Sequence, residues 1–399
     1  MLKKLLSNPN FIYIFSFIVP FLFYSFGWST IYPQLGINLF LFYVFTFLIC
    51  AVLGIFINFT KPFNYKAINE FKPNGIILLS LYILYSVEVI YSRNLPLMGL
   101  LKGTFDYSED SFGIPVIHTF LVSFNIFYGI YLFHQYISTY KKKLLWFFIL
   151  SIIPFILQVS RSSILSILIG ALIVYMLGKK IISLNLLFKT IIGAVLVFYM
   201  FGFMGNLRSG KGDPTYIPRS SGATEEFLNS AIPKEFYWSY LYIASPVANL
   251  QNNINYVKKP EGSYKDLILN ECLPNFFVKF LTNGGAKEFN QINPFLNVGT
   301  IYVFSFSYLR WQGIILLFFY FIVMVNLYYL LIQKSDTYKV TGMAILFNII
   351  IFANFHNTIS YSASSMQLLY PVVFSMLNHF LNKKNNYNKE FDLSKKELQ

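Results

Sequence analysis

Arg161 is the residue whose surroundings most clearly suggest chemistry. It stands between two apolar runs, in the hydroxyl-rich sequence Ser160-Arg161-Ser162-Ser163. A guanidinium group can bind two phosphate oxygens at once, and the serine hydroxyls add further donors, so this segment is a candidate phosphate site. The alternative is an arginine whose side chain simply extends to the lipid headgroups.

A second group of cations follows a later apolar run. The candidate diphosphate ligands in this group are Arg208, Lys211, Arg219 and, at the far end of the same polar stretch, Arg310. Gly210 and Gly212 would let the backbone approach a diphosphate closely, whereas a solvated loop is the alternative. The sequence contains no GxxxxGK[ST] pattern, which argues against a nucleotide site of that type.

Three residues are candidate proton acceptors: Glu88, His118 and His356. A carboxylate inside an apolar run is costly and usually faces a cavity or a partner. Glu88 therefore either pairs with an arginine or acts as a general base. Each histidine is either a packing residue or a base. No HExxH sequence or comparable spacing indicates a metal site, and no cofactor is expected.

Three aromatic residues have two readings. Tyr237, Tyr240 and Tyr242 are candidates for stacking on sugar rings, and they would equally form an aromatic belt at a membrane surface. They belong to an amphipathic stretch over residues 225–254, which predicts a helix lying at the membrane interface. A short apolar piece at residues 297–309 predicts a second interfacial or re-entrant helix that leads to Arg310.

Composition identifies the elements that must position these residues. Of the 399 residues, 56% are hydrophobic and 12% are charged, whereas soluble domains carry about 25% charged residues. The apolar residues form runs long enough to cross a bilayer. The net charge of +14 comes largely from lysines in short loops, so we expect it to orient the chain in a membrane rather than to bind nucleic acid. Cys50 and Cys272 indicate neither a disulfide framework nor a thiolate metal site.

The apolar runs predict an all-α polytopic membrane protein with about ten transmembrane helices. The runs lie at residues 11–28, 37–59, 74–92, 114–138, 144–160, 162–178, 186–205, 312–333, 340–355 and 366–381. Residues 1–205 thus hold helices 1–7, residues 206–311 form one large polar loop with short amphipathic helices, residues 312–382 hold helices 8–10, and residues 383–399 form a tail.

Lysines mark alternate loops and so predict the orientation. They occur in the loops at 60–73, 139–143, 179–185 and 334–339 and in the tail, which places these segments and both termini in the cytoplasm. The large loop then faces the periplasm from the inner membrane. The alternation requires a turn at Arg161, because a single helix over 144–178 would reverse every later loop. Arg161, Arg208 and both candidate histidines consequently fall on the outer side.

Four short segments resemble those of the Wzy-type O-antigen polymerases, which join oligosaccharide repeat units. The segments are Gly113-Ile-Pro-Val-Ile-His118, Ser160-Arg161-Ser-Ser, the loop opening at Gly205-Asn206 with Arg208, and Asn297-Val-Gly-Thr300 followed by Gly313. The resemblance covers about residues 70–380. The chain departs from the family at Tyr308-Leu-Arg310-Trp-Gln-Gly313, where an Asp-Phe-Gly-like stretch is common, and at Lys211, which replaces the arginine of a spaced Arg–Gly pair ending at Gly222.

The resemblance implies a membrane glycosyltransferase, with an architecture similar to the glycosyltransferase C class. Such an enzyme takes oligosaccharide units linked to undecaprenyl diphosphate at the periplasmic face. It moves the growing chain onto the non-reducing end of an incoming unit, and the lipid diphosphate leaves. No nucleotide sugar or obligatory metal is implied. Membrane lipid is an expected partner, and a chain-length regulator protein is a candidate partner.

Rival functions stay open at this point. A lipid-linked oligosaccharide flippase would be expected to show repeat symmetry and charges at mid-membrane, and neither is evident in the sequence. An O-antigen ligase would share the large outer loop. A membrane acyltransferase would be expected to show a His/Asp dyad, and none is evident at a suitable place in the sequence.

Overall fold

The structure is all-helical over the part of the chain that it describes. The computed structural model describes residues 2–68, 75–102, 112–209, 213–281, 289–293 and 296–380. Within these ranges there is no β-strand, and a single isolated bridge pairs Ser29 with Ala223. Five helices in the same ranges are long and apolar enough to cross a membrane. The predicted class, an all-α membrane protein, therefore fits the structure.

The helices follow the apolar runs along the chain. Those before the large polar loop are α1 (Leu2–Leu6), α2 (Pro9–Ser25), α3 (Ile37–Thr60), α4 (Gly75–Ser92), α5 (Pro96–Lys102), α6 (Ile117–Thr139), α7 (Lys142–Leu157), α8 (Arg161–Gly178) and α9 (Leu184–Ser209). Those that follow are α10 (Tyr216–Ser220), α11 (Glu225–Asn229), α12 (Phe236–Tyr256), α13 (Tyr264–Leu267), a π-helical turn (Ile268–Cys272), α14 (Asn275–Leu281), α15 (Val303–Ile332), α16 (Lys339–Phe352), α17 (Ser362–Ser365), a 3₁₀ turn (Met366–Leu368) and α18 (369–380).

The count of about ten spanning helices is not reproduced, although each of the ten predicted segments contains a helix. The helices that qualify by length and hydropathy within the described ranges are α3, α4, α6, α8 and α15. Helix α2 has 17 residues and α16 has 14, whereas crossing the hydrocarbon core takes about 20 residues at 1.5 Å each. The apolar runs thus predicted the positions of the helices correctly. Some of the helices are too short to span a membrane, so fewer than ten of the described helices qualify.

The chain divides into two compact units. Unit 1 comprises residues 1–63, 179–326 and 349–362, and unit 2 comprises residues 64–178, 327–348 and 363–399. In unit 1, α2 packs against α3 and α12. The hydroxyl oxygens of Tyr13 and Tyr302, both fully buried, lie 2.6 Å apart in this core. The side chains of buried Asn10 and half-buried Asn326 exchange hydrogen bonds of 2.8 and 3.1 Å, so the two amides satisfy one another.

Helix α12 is a core helix of unit 1, not the interfacial helix predicted over residues 225–254. Thirteen of its 21 residues are buried, and it packs against α2 and α9. Its polar side binds backbone instead of water. The Asn249 amide donates to the carbonyls of Leu296 and Val298 at 2.6 and 2.7 Å, and the Asn253 amide donates to the carbonyl of Val303 at 2.9 Å. An amphipathic pattern does not distinguish water from a chain segment as the partner of the polar side.

Helix α6 is the centre of unit 2, where it packs against α4, α7 and α8. Two glycines let α6 and α8 approach closely, as small residues do between membrane helices. A Cβ added at Gly129 would lie 2.2 Å from Ile167 Cδ1, and one added at Gly170 would lie 2.4 Å from Ile130 Cδ1. Only two residues separate α6 from α7 and three separate α7 from α8, and each of these pairs packs together. Each pair is therefore antiparallel, so α6 and α8 are parallel, with their first residues at the same end of the unit.

Candidate functional site

A buried carboxylate–imidazole pair lies at one end of unit 2. Glu88, in the last turns of α4, is 1% exposed. Its Oε2 atom is 2.8 Å from Nδ1 of His118, which lies in the first turn of α6. A carboxylate can only accept, so Nδ1 carries the proton of this hydrogen bond; in the neutral imidazole, Nε2 then presents its lone pair. Two of the candidate proton acceptors, Glu88 and His118, therefore pair with each other. The partner of Glu88 is this histidine and not the arginine that the sequence suggested.

The loop before α6 holds this pair in place. The backbone N–H of Ile114 donates to Glu88 Oε1 at 3.3 Å, and the N–H of Gly113 donates to Ser92 Oγ at 2.9 Å. Gly113 adopts φ +93°, and a Cβ there would lie 2.6 Å from Cγ and Nδ1 of His118. Glycine is thus required both by the backbone angle and by the imidazole beneath it. The motif Gly113–His118 has a structural reason for its spacing.

Exposure gives the two members of the pair different roles. The His118 side chain is 29% exposed, whereas that of Glu88 is 1% exposed. The imidazole is therefore accessible from outside the unit while the buried carboxylate orients it, an arrangement that also occurs in catalytic histidine–carboxylate pairs. The arrangement can remove a proton from a hydroxyl group through Nε2.

Arg161 lies at the same end of unit 2, at the turn that the charge alternation predicted. Helix α7 ends at Leu157 and α8 begins at Arg161, so the two are separate helices, as predicted. Val159 takes φ +55° at the turn. The serines next to Arg161 also act locally, because Ser160 Oγ donates to Ser163 Oγ at 2.8 Å. The backbone N–H of Arg161 donates to the Val159 carbonyl at 3.1 Å. The residue is exposed, and within the described ranges its side chain forms no hydrogen bond or ion pair.

Polar side chains lie between this turn and the carboxylate–imidazole pair. Gln158, which follows the last residue of α7, interacts with Tyr85, and Tyr85 lies three residues before Glu88 on α4. Asn125 of α6 donates to the Tyr85 hydroxyl at 3.3 Å. His118 lies 11 residues before Gly129 on α6, and Arg161 lies six residues before Ile167 on α8. Because Gly129 contacts Ile167 and a helix rises 1.5 Å per residue, the positions of His118 and Arg161 along the helix axes differ by about 7 Å. Glu88, His118 and Arg161 therefore belong to one end of one helix bundle.

Comparison with known proteins adds no assignment. No family model, curated protein or solved structure matches this chain. The geometry of the site is consequently the basis for any functional conclusion.

Arg310 belongs to unit 1 and has an unusual backbone. Helix α15 is broken at Leu309 and Arg310, where Arg310 adopts φ +53° and ψ −134°. A short helix over residues 303–308 therefore leads into Arg310, within the predicted segment 297–309. Its interfacial or re-entrant position stays a prediction. That region of conformational space is close to glycine-only, and a residue held there costs about 1–3 kcal/mol. The buried Nε atom of Arg310 has no hydrogen-bond partner in the described ranges.

Unit 1 also contains a buried carboxylate, which the sequence did not predict. Glu271 lies on the π-helical turn and is 4% exposed. The side-chain amide of Asn357 donates to Glu271 Oε2 at 2.8 Å and to the Glu271 carbonyl at 2.9 Å. π-helical turns occur frequently at functional sites. The signal in the sequence was weak, because a single glutamate in a polar loop resembles any solvated carboxylate.

His356 directly precedes this amide in unit 1. Its ring contacts the ring of Tyr361 edge-on, with the centroids 5.2 Å apart. Burial lowers the pKa of His356 to about 4, so the imidazole is neutral near pH 7 and can accept a proton. The structure thus places the two candidate histidines in different units, His118 in unit 2 and His356 in unit 1.

Two of the three candidate sugar-binding tyrosines are core residues. Tyr237 and Tyr240 are fully buried and contact one another and Phe227 or Trp28 through their rings. Neither has a ring face open to a sugar, so the prediction that these two bind sugar is wrong for this structure. Burial raises the pKa of the Tyr237 hydroxyl to about 12. Tyr242 is only half-buried and stacks on Trp238.

The basic cluster after α9 is described in part. Arg208 lies in the last turn of α9, and its side chain falls outside the described part of the chain, as does all of Lys211. Arg219 lies on the short helix α10 and is exposed. It interacts electrostatically with Asp213, whose pKa is lowered by hydrogen bonds from Thr215 and then by this arginine. Among the described residues, no group of three or more His, Cys, Asp or Glu side chains could hold a metal ion.

Proposed function

We propose that this chain is a membrane glycosyltransferase that polymerises oligosaccharide units carried on undecaprenyl diphosphate. The observation that carries the proposal is the Glu88–His118 pair at the same end of a helix bundle as the exposed Arg161. Together these residues supply a general base and a cation for a departing diphosphate. The resemblance of four short motifs to O-antigen polymerases supports the same reaction class.

The proposed step is a displacement at the anomeric carbon of the growing chain. A hydroxyl at the non-reducing end of the incoming unit loses its proton to His118 Nε2, while Glu88 stabilises the resulting imidazolium. The hydroxyl oxygen bonds to the anomeric carbon as the bond from that carbon to the diphosphate oxygen breaks. The carrier leaves as undecaprenyl diphosphate, and Arg161 stabilises the negative charge that develops on it.

The remaining candidate residues keep their predicted roles within this proposal. Arg208, Lys211, Arg219 and Arg310 are proposed diphosphate ligands, and His356 is the alternative base. Tyr242 is the remaining sugar-stacking candidate. The charge alternation puts the reaction at the periplasmic face of the inner membrane, with both termini in the cytoplasm. A chain-length regulator would act as a partner protein.

Purified full-length protein in vesicles, supplied with a defined undecaprenyl-diphosphate oligosaccharide, tests the proposal. Wild-type protein should produce a ladder of polymers. Arg161→Ala should slow polymer formation by about 10²–10³-fold, in line with the loss of one transition-state donor, and Arg161→Lys should restore part of it. Lys142→Ala, which removes an exposed cation at the other end of the unit, should have no effect.

Variants of the Glu88–His118 pair, hereafter the dyad, complete the test. His118→Ala should slow transfer by about 10²–10⁴-fold, and Glu88→Gln should lower kcat with little change in KM. Glu226→Gln, the same substitution at an exposed site, is the matched control. Polymer formation at the wild-type rate in both Arg161→Ala and His118→Ala would refute the site. Transfer that requires a lipid A-type acceptor would indicate a ligase, and transport without transfer would indicate a flippase.

A membrane acyltransferase is the second candidate, because of the same Glu88–His118 pair. A histidine oriented by a carboxylate could equally activate a sugar hydroxyl for attack on an acyl carbon. The exposed Arg161 beside the pair favours a diphosphate substrate instead. Acylated sugar in place of polymer, when vesicles receive both an acyl thioester and lipid-linked units, would select this candidate.

A further inference from the structure

A cavity lies at the other end of unit 2, away from the dyad. Its volume is about 400 Å³, within the usual range for a ligand site, and it lies between α6, α18, the start of α4 and the loops that carry Lys66 and Asp336. It is built entirely from residues of unit 2. The proposed transfer reaction does not use it.

The apolar part of the cavity is elongated along α6. Residues 124, 127, 128, 131 and 135 line it, and their spacing places them on one face of the helix. Eleven residues of helix correspond to about 16 Å. Aromatic side chains form most of this face, and Phe374 of α18 stacks on Phe127 with the centroids 5.7 Å apart. We call this mostly aromatic part of the cavity the trough. Its lining runs along a membrane helix and suits a hydrocarbon chain.

The polar part of the cavity lies at one end of that trough. The carbonyl of Lys66 hydrogen-bonds to Nε2 of His134, which places Lys66 beside Gln135. The Lys66 ammonium forms an ion pair with Asp336, and the two side chains are 51% and 83% exposed. Because an exposed ion pair contributes little, a ligand can separate the two groups at small cost.

The charges at this end favour an anionic headgroup. Lys339 does not line the cavity, but it interacts electrostatically with both Lys66 and Asp336. Two ammonium groups therefore lie near one carboxylate, with a net charge of +1. A phosphodiester can accept a charge-assisted hydrogen bond from Lys66. Free hydroxyls on the headgroup can donate to Asp336. A zwitterionic headgroup would leave the excess positive charge uncompensated.

We propose that this cavity binds one phospholipid with a singly negative, hydroxyl-bearing headgroup of the phosphatidylglycerol type. The phosphate contacts Lys66, a headgroup hydroxyl contacts Asp336, and one acyl chain occupies the trough along α6. Lysines mark this end as cytoplasmic in the charge-based topology, where anionic lipids attract basic segments. The bound lipid would hold α6 and α18 together. Its binding does not depend on the proposed transfer reaction.

Native mass spectrometry of the full-length protein, delipidated in detergent and titrated with dioleoyl phosphatidylglycerol, tests the site. One lipid should bind and survive collisional activation, and Lys66→Gln should weaken its binding about tenfold, as expected for one charge-assisted contact. Lys142→Gln removes a lysine near the same end that does not line the cavity, so it should bind like the wild type.

A second pair of variants tests the trough independently of charge. Ile77 of α4 lines the cavity, so Ile77→Trp should fill it and abolish retention of the lipid. Leu79→Trp introduces the same side chain on the same helix at a residue that is 62% exposed, and it should retain the lipid. Equal binding by Lys66→Gln, Ile77→Trp and wild type would overturn the proposal. Dioleoyl phosphatidylethanolamine binding as tightly as phosphatidylglycerol would overturn it as well.

Discussion

Gly113→Ala is the most informative single change at the proposed site. Alanine pays for the positive φ of this position with about 1–2 kcal/mol, and its Cβ would lie 2.6 Å from the His118 ring. The loop or the imidazole must then move, which breaks the 2.8 Å bond to Glu88. A hydrogen bond to a charged group contributes about 1.5–3 kcal/mol. The free energy of unfolding should therefore fall by about 3–4 kcal/mol.

Gly27→Ala separates the backbone cost from the contact with the imidazole. Gly27 has φ +63°, and a Cβ there would meet nothing within 4 Å, so this variant should lose only about 1 kcal/mol. Titration with SDS in mixed micelles, followed by circular dichroism, measures both. Equal losses in the two variants would show that the loop is not closed over His118.

A double-mutant cycle with Glu88→Gln tests whether the loss passes through the dyad. If Gly113→Ala already separates His118 from Glu88, then adding Glu88→Gln should cost less than it does in the wild type. The coupling free energy should be about 1 kcal/mol or more, because the two changes disrupt the same hydrogen bond. Additive losses would refute the structural role given to Gly113.

Three further predictions concern unit 1, all measured by the same SDS titration. Arg310→Gly should raise the free energy of unfolding by about 1 kcal/mol relative to Arg310→Ala, because glycine relieves the backbone at φ +53° and ψ −134°; equal stability of the two variants would contradict this. Asn357→Ala should lower it by about 2 kcal/mol through loss of the hydrogen bonds to Glu271, and less so when Glu271 is Gln; an unchanged value would argue against the pair. The pKa of His356 is lowered to about 4 in the folded protein, so as the pH falls the unfolded state binds the proton first. The contribution of His356 to the free energy of unfolding should therefore be complete above about pH 6.5 and lost towards pH 4. The loss should be at most about 3 kcal/mol. His356→Gln should flatten that pH dependence, and an unchanged slope would exclude His356 as its source.

The dyad shows where local sequence reasoning stopped. Glu88 and His118 were each recognisable, because a carboxylate or an imidazole at the edge of an apolar run is unusual. Their pairing joins α4 to α6 across 30 positions, and no periodicity specifies which residues meet at that distance. Sequence reasoning therefore offered an arginine as the partner of Glu88, whereas helix packing supplied a histidine.

The tyrosines show the opposite error. The amphipathic pattern of α12 correctly predicted a helix, but the pattern does not say what covers each side. Tyr237 and Tyr240 are buried among aromatic side chains. The side-chain amides of Asn249 and Asn253 donate hydrogen bonds to backbone carbonyls within residues 296–303. The buried contact between Glu271 and Asn357 escaped notice for the same reason, since its two residues lie 86 positions apart.

The amino-acid sequence alone determined the helical class, the membrane character and the turn at Arg161. These properties follow from hydropathy over about 20 residues and from the positions of lysines, which are local quantities. Tertiary structure decided which helices are long enough to span, which polar groups are buried, and which of them pair. Those outcomes depend on side-chain contacts between distant segments, so the Glu88–His118 pair becomes visible only when α4 and α6 pack together.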